Sequence, residues 1–177
     1  MSHSDIVITP EYWAAACAHL SKKDRVMKRL IPQFGDACLV SRGDAFVTLA
    51  RSIVGQQISV KAAQSVWNKF SALNKKITPA GVLKLKVDDM RAAGLSARKV
   101  EYLVDLALNF HGKNVSVKEW QQMDDEAIID ELVAIRGIGR WTAEMFLIFH
   151  LMRPNVLPLD DVGLINASAR TIFQANP

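Results

Sequence analysis

Apolar residues recur at helical spacing along almost the whole chain. The clearest run follows the i, i+3, i+4, i+7, i+8 pattern of one buried helix face and comprises Phe46, Leu49, Ala50, Ile53 and Val54. Similar patterns predict further helices that begin at or just after Ser59, Thr78, Ser96, Asp124 and Arg140. Strand-like alternation is too brief to predict a sheet. The pattern therefore predicts an all-α fold of about ten short helices, packed as a compact orthogonal bundle.

Three further segments carry signals for a helix start. Residues 21–24 (Ser-Lys-Lys-Asp) and 116–119 (Ser-Val-Lys-Glu) both resemble a capping box. Thr9 is followed by Pro10, as expected for an N-cap with proline at the first helical position. We therefore expect helices to begin at these three places.

Composition and charge set broad limits. The 177 residues indicate one domain, or two small lobes that share a core. Half of the residues are hydrophobic, with 9 Gly and 6 Pro, which excludes collagen-like, low-complexity and disordered classes. The 22 Lys and Arg exceed the 18 Asp and Glu, a surplus that permits a polyanionic partner without requiring one. Two cysteines, Cys17 and Cys38, are too few for a disulfide scaffold, a four-cysteine zinc site or a cysteine-ligated iron–sulfur cluster.

The sequence shows neither an export signal nor a membrane span. The first ten residues, MSHSDIVITP, lack a basic start followed by an apolar run. The longest apolar stretch, Met145–Met152, is interrupted by His150 and is shorter than the roughly 18–20 residues that cross a bilayer. We therefore expect a cytoplasmic protein without a membrane partner.

Residues 137–139 read Gly-Ile-Gly and separate two helical patterns by a very short turn. Glycine permits a positive φ, and the first amides of the following helix have no acceptor within it, which favours a phosphate oxygen. A bare Gly-x-Gly is more often only a tight turn between packed helices. Here the flanking apolar residues have the spacing of a helix-hairpin-helix, and Arg136 and Arg140 flank the turn. The segment therefore favours binding of a DNA backbone.

Two adjacent acids, Asp160 and Asp161, follow a proline-containing loop and precede an apolar helix. Taken alone, they indicate N-capping by either carboxylate more strongly than catalysis. Adjacent acids can also bind a metal, but no nearby side chain completes a set of hard-cation ligands.

The chain resembles the helix-hairpin-helix (HhH-GPD) DNA glycosylase superfamily, in particular its DNA-3-methyladenine glycosylase II branch. The resemblance rests on 137–143 (GIGRWTA) followed by 157–161 (LPLDD), on 53–63 (IVGQQISVKAA) and, more weakly, on 94–99 (GLSARK). Together these ordered motifs span roughly residues 44–170. The resemblance implies two helical lobes that flank a cleft, and duplex DNA with damaged bases as the partner of a monomer.

The resemblance also implies roles for individual residues. Asp161 matches the catalytic aspartate, and Trp141 and Met145 match the wall of a base pocket. Gln57 matches the residue that fills the gap left by a flipped nucleotide. The implied DNA-binding residues are Gln57, Gly137, Ile138, Gly139, Arg140 and Thr142. In relatives, hairpin carbonyls hold a monovalent cation, Na⁺ or K⁺, and the matching carbonyls belong to Val133, Ile135 and Gly137. No other cofactor is implied.

The implied reaction is hydrolysis of the N-glycosidic bond of alkylated purines. Lyase-competent members carry a lysine two residues after the second glycine, where this chain has Trp141, so we expect no strand cleavage. The expected organisation is N-terminal helices in 1–42, a helical barrel lobe in 43–153, and the Asp161 loop with the start of a truncated C-terminal helix in 154–177. If the missing part is essential, the alternative is a non-catalytic DNA-binding fragment.

Overall fold

The computed structural model of the chain describes residues 9–41 and 43–170. Within those ranges it contains ten α-helices, one short 3-10 helix (Ile31–Phe34) and no strand, which confirms the predicted all-α fold. The helices are α1 (Trp13–Lys23), α2 (Arg25–Leu30), α3 (Ala45–Gly55), α4 (Val60–Ser71), α5 (Pro79–Val82), α6 (Val87–Ala92), α7 (Ala97–His111), α8 (Asp125–Val133), α9 (Arg140–Phe149) and α10 (Val162–Ser168).

Short polar side chains fix where four of these helices begin. Asp44, Ser59, Thr78 and Ser96 each accept a hydrogen bond of 3.0 to 3.3 Å from the backbone amide three residues further on. These bonds start α3, α4, α5 and α7 by satisfying an amide that the helix itself cannot satisfy. The starts predicted after Ser59, Thr78 and Ser96 are confirmed.

Two predictions near the N-terminus are wrong. Ser21 lies inside α1, and the acid of the supposed capping box caps the next helix, because Asp24 accepts a 2.8 Å hydrogen bond from the Met27 amide. α1 begins at Trp13, whose amide donates to the Pro10 carbonyl over 3.0 Å, rather than directly after Thr9. In both cases a competing local hydrogen bond decides where the helix begins.

The predicted capping box at Ser116 is also wrong, since residues 117–120 form turns and not a helix. The Ser116 amide donates over 2.7 Å to Glu131 of α8, and not to Glu119 within the segment. The carboxylate of Glu131 also accepts a hydrogen bond from the indole N–H of Trp120. A long-range acid thus takes the place of the local one.

Residue contacts divide the chain into two compact units. One comprises 1–41 together with 147–177, and the other comprises 42–146. The bounds expected from sequence, 1–42, 43–153 and 154–177, stay a prediction; the contacts group residues 147–153 with the N-terminal helices.

The unit of residues 42–146 has a continuous apolar core. The stripe predicted on α3 is confirmed, because its five residues from Phe46 to Val54 are at most 3% exposed. A row of edge-to-face aromatic rings adds to this core: Phe46 packs on Phe110, Phe110 on Trp120, and Trp120 on Phe146, with centroids 5.3 to 6.1 Å apart. The row connects α3, α7, the 117–120 turns and α9.

The other unit joins the N-terminal helices to the chain that follows α9. The Tyr12 hydroxyl donates to the Met152 carbonyl over 3.0 Å, and the Arg153 amide donates to the Leu147 carbonyl over 2.9 Å. α1, α2 and the segment after α9 line a groove of about 920 Å³ with mainly apolar side chains, among them Trp13 and Phe34.

Across the described residues, no helix is long and apolar enough to cross a membrane.

Candidate functional site

The turn between α8 and α9 requires glycine at position 137. Gly137 has a φ of +87°, which residues with a side chain rarely adopt. A Cβ atom there would lie 2.2 Å from the nearest ring atom of Tyr102 in α7, so the ring packs directly on the glycine. Ile138 follows at 4% exposure and is therefore buried. A side chain at 137 would therefore strain this turn and force the Tyr102 ring or the backbone to shift.

Gly139 is different, because nothing lies within 4 Å of the position that its Cβ would take. It precedes α9, whose first backbone hydrogen bond runs from the Ala143 amide to the Gly139 carbonyl over 3.0 Å. The Ile138 amide just before it is not free for a phosphate, because it donates to the Ile135 carbonyl over 3.1 Å. The open side of the turn therefore begins at Gly139, where a phosphate oxygen could approach the helix N-terminus.

A polar cavity of about 310 Å³ lies beside this turn, within the unit of residues 42–146. Its walls come from the end of α3, the start of α7 and the hairpin, and are formed by Gln56, Gln57, Ser96, Arg98, Lys99, Tyr102, Gly137, Ile138 and Gly139. The structure thus brings four of the predicted DNA-binding residues to one cavity: Gln57, Gly137, Ile138 and Gly139.

Gln57 has an unusual backbone. Its φ is +59°, in the left-handed region that residues other than glycine seldom occupy, and its side chain is exposed. The residues beyond it are exposed too: Ile58 by 40% and Val60, the first residue of α4, by 89%. The loop between α3 and α4 therefore exposes the side-chain amide of Gln57 and the apolar side chains of Ile58 and Val60 to solvent.

Asp161 lies in the unit that contains the N-terminal helices, and it caps α10. Its Oδ1 accepts a 2.7 Å hydrogen bond from the Leu164 amide, and its own amide donates to the Pro158 carbonyl over 3.1 Å. Asp161 is half-buried, whereas Asp160 is exposed. Of the two acids that could cap the helix, Asp161 does so, and the cap fixes the orientation of its carboxylate.

Comparison with known proteins assigns the family. A family model described as an HhH-GPD superfamily base excision DNA repair protein matches residues 50–176, a range that includes the Gln57 loop, the hairpin and Asp161. The chain belongs to the HhH-GPD superfamily.

Individual HhH-GPD proteins resemble the chain over most of its length. DNA-3-methyladenine glycosylase 1 of Schizosaccharomyces pombe is 34% identical over 155 residues, 84% of this chain and 68% of that protein. The putative DNA-3-methyladenine glycosylase YfjP of Bacillus subtilis is 31% identical over 160 residues, 86% of this chain and 55% of that protein. The solved structure of the S. pombe enzyme Mag1 with abasic DNA superposes with a TM-score of 0.78 at 33% identity, covering 89% of this chain and 80% of that one.

The basic residues that flank the HhH-GPD hairpin are paired with acids. The Arg140 guanidinium contacts Glu126 at 2.5 Å and Glu144 at 3.1 Å, and Arg136 contacts Glu101 at 3.2 Å. Hydrogen bonding to Glu126 raises the pKa of Arg140, and the same bond lowers the pKa of Glu126. A phosphate contact by Arg140, expected from the sequence, would therefore compete with two carboxylates.

Helix α9 carries the residues predicted for the base pocket. Trp141 is 47% exposed, so it is not a core tryptophan, and Met145 lies one turn further on at intermediate burial. Thr142, a predicted DNA-binding residue, is only 8% exposed. Its side chain is thus less available to DNA than the backbone around Gly139.

Two residues that line the polar cavity beside the hairpin, Lys99 and Gln56, were missed by the sequence analysis. The Lys99 ammonium donates to the Val54 carbonyl over 2.7 Å, and the Gln56 side-chain amide donates to the Gly137 carbonyl over 2.8 Å. Burial lowers the pKa of Lys99. Both residues belong to motifs that carry the family resemblance, at 53–63 and 94–99, which was the available signal.

The hairpin carbonyls of Val133, Ile135 and Gly137 are neutral oxygen donors of the kind that hard cations prefer. Two of them already accept hydrogen bonds, Ile135 from the Ile138 amide and Gly137 from Gln56. Each carbonyl has two lone pairs, so Na⁺ or K⁺ would share these oxygens with the existing donors. The donor type fits, and the cation site stays a prediction. Among the described residues, no cluster of three or more His, Cys, Asp or Glu could hold a metal.

Proposed function

We propose that the chain is a monofunctional DNA glycosylase of the DNA-3-methyladenine glycosylase II type. It would flip an alkylated purine out of duplex DNA and hydrolyse the N-glycosidic bond. The names of its relatives support the substrate class, since proteins 34% and 31% identical are called DNA-3-methyladenine glycosylases. The observation that carries the proposal is the carboxylate of Asp161, held half-buried by its cap on α10 within the matched region.

The proposed chemistry suits a single oriented carboxylate. Cleavage of an N-glycosidic bond develops positive charge on the sugar, as glycoside hydrolysis does. A carboxylate that is already fixed stabilises this charge without reorganising, and it can orient the attacking water. An alkylated purine carries positive charge itself, so it leaves with little help from a general acid. Asp161 therefore acts as the charge-stabilising residue, and Asp160 is an exposed neighbour.

The base and the duplex would be bound by separate features. Trp141, with nearly half of its surface exposed, offers an aromatic face for an electron-poor base, and Met145 adds to the same wall. The open backbone at Gly139 takes a phosphate, and Gln57 enters the gap left by the flipped nucleotide. Because Trp141 replaces the hairpin lysine of lyase-competent relatives, no covalent sugar adduct forms and the strand stays intact.

The reaction products test this proposal. The purified chain is incubated with duplex DNA that contains 7-methylguanine and 3-methyladenine, and free bases are separated by chromatography while strand integrity is read on a denaturing gel before and after alkali. The proposal predicts free alkylated purine and strand breaks only after alkali. Breaks before alkali would contradict the monofunctional assignment. Intact bases together with salt-sensitive DNA binding would favour the alternative, a non-catalytic DNA-binding protein.

A further inference from the structure

The end of α3 is held by a charged side chain from α7. The last carbonyls of a helix have no amide partner within it, and α3 ends at Gly55. The Lys99 ammonium donates to one of these carbonyls, that of Val54, over 2.7 Å. A cation at this end of a helix also interacts favourably with the helix dipole. Lys99 therefore stabilises the C-terminal end of α3, which lies two residues before Gln57.

Gln56, the residue between the end of α3 and Gln57, is held by the hairpin. The Gln56 side-chain amide donates to the Gly137 carbonyl over 2.8 Å, and the Tyr102 ring packs against the same glycine. Tyr102 lies three residues, about one helical turn, after Lys99 on α7. The segment before Gln57 is thus clamped between α7 and the hairpin.

Gln57 itself adopts a conformation that requires such a clamp. A left-handed φ of +59° is unfavourable for a residue with a side chain, and it persists only where the surroundings determine it. The Gln57 side chain is exposed, so contacts of its own do not supply that restraint. The restraint must therefore come from neighbouring residues, and the Gln56 side chain and the Val54 carbonyl just before it are both held by hydrogen bonds.

We propose that Lys99 and Gln56 are positioning residues that hold Gln57 in the left-handed conformation, ready to enter the gap of a flipped or missing nucleotide. The inference rests on the proposed role of Gln57 in DNA. The inference assigns different roles to Lys99 and Arg98. Arg98 lines the same cavity but is exposed, so it is available for direct contact with a phosphate. Lys99 acts through Gln57, whereas Arg98 acts on the duplex.

Binding to abasic DNA tests this inference without requiring catalysis. Affinity is measured for a duplex that contains a tetrahydrofuran abasic analogue and for the undamaged duplex of the same sequence. Lys99→Met is expected to weaken binding to the abasic duplex about tenfold, as for coupled neighbours, and to leave the undamaged duplex within about twofold. Lys99→Arg, which can still donate to Val54, restores most of the preference. Gln56→Ala is expected to give the same pattern as Lys99→Met.

The decisive comparison uses a second background. In Gln57→Ala, adding Lys99→Met should cause no further loss, because the residue through which Lys99 acts is gone. The positioning role would be overturned if Lys99→Met weakened binding equally in the native chain and in Gln57→Ala. It would also be overturned if Lys99→Met weakened binding to undamaged duplex as much as to abasic duplex. Either result would indicate that Lys99 contacts a phosphate. Lys118→Met removes the same charge from an exposed site and controls for electrostatics.

Thermal melts of each variant distinguish loss of the fold from loss of positioning. Because variants at Lys99 and at Gln56 test the same inference independently, the test stays valid if one of them is unstable. A native chain without preference for the abasic duplex would overturn the inference. Its base release on methylated DNA, measured separately, would then still report on the proposed glycosylase activity.

Discussion

The two glycines of the hairpin should respond in opposite ways to the same substitution. In Gly137→Ala the new methyl group would meet the Tyr102 ring at 2.2 to 2.8 Å, on a backbone with a φ of +87°. The left-handed φ costs about 1–3 kcal/mol for a residue with a side chain. Overpacking against the ring adds about 1–3 kcal/mol. We therefore expect Gly137→Ala to lower the free energy of unfolding by about 2–6 kcal/mol.

Gly139→Ala is the matched control, because its methyl group would meet no atom of the protein within 4 Å. Its free energy of unfolding should stay within about 0.5 kcal/mol of the native value, as for a surface substitution. Its affinity for duplex DNA should nevertheless fall, since the methyl group occupies the space proposed for a phosphate. Urea unfolding followed by circular dichroism, and fluorescence anisotropy with labelled duplex, measure the two effects.

A double variant separates the two costs at position 137. In Tyr102→Ala the ring is absent, so Gly137→Ala should then cost only the backbone part, about 1–3 kcal/mol. The reasoning would be refuted if Gly137→Ala were as stable as the native chain, or if Gly139→Ala destabilised the fold as much as Gly137→Ala. Unchanged DNA affinity of Gly139→Ala would refute the phosphate site alone.

Other contacts give further predictions. Glu126→Gln should strengthen DNA binding and steepen its salt dependence by up to about one unit of slope, measured by anisotropy over a salt series, because it releases part of the Arg140 guanidinium. The hydrogen bond from Arg140 lowers the pKa of Glu126 below its ordinary 4.5. The pair therefore stabilises the fold above about pH 4.5, and this stabilisation is lost as the pH falls through the lowered pKa. In Glu126→Gln the free energy of unfolding should accordingly depend less on pH in the acid range. Trp120→Phe should lower the free energy of unfolding in urea by about 1–3 kcal/mol, because Glu131 loses the hydrogen bond from the indole N–H. Unchanged stability would show that this bond contributes little.

The sequence predicted the features that depend on local chemistry. Helix starts at Ser59 and Ser96 were correct because the cap and its amide lie three residues apart. The α3 stripe was correct because periodicity reports burial directly. Capping by one of the two acids, Asp160 or Asp161, was predicted on the same grounds, and Asp161 is the one that caps α10. The catalytic role proposed for Asp161 came only from the family resemblance.

The sequence could not predict features that depend on distant partners. Gln56 and Gly137 are 81 residues apart, and Lys99 and Val54 are 45 apart, so no spacing rule connects them. The capping box at Ser116 failed for the same reason, because Glu131 of α8 supplies the acid.

Arg140 shows that the partner of a charged side chain cannot be predicted from its position in the sequence alone. Its position beside the hairpin indicated a phosphate contact, but the fold brings Glu126 to it from 14 residues away. Glu144, one turn further along α9, adds a second carboxylate that the i, i+4 spacing could have indicated.

The most direct test of the central claim compares two adjacent aspartates. Asp161→Asn keeps an oxygen that can cap α10 but removes the negative charge, whereas Asp160→Asn removes a charge from the exposed neighbour. Single-turnover release of 7-methylguanine from duplex DNA should fall at least about 10²–10³-fold in Asp161→Asn, the usual cost of losing one transition-state-stabilising group. Release should stay within about threefold in Asp160→Asn, as for an exposed position. Release by Asp161→Asn at the native rate would contradict the assignment of Asp161 as the catalytic residue.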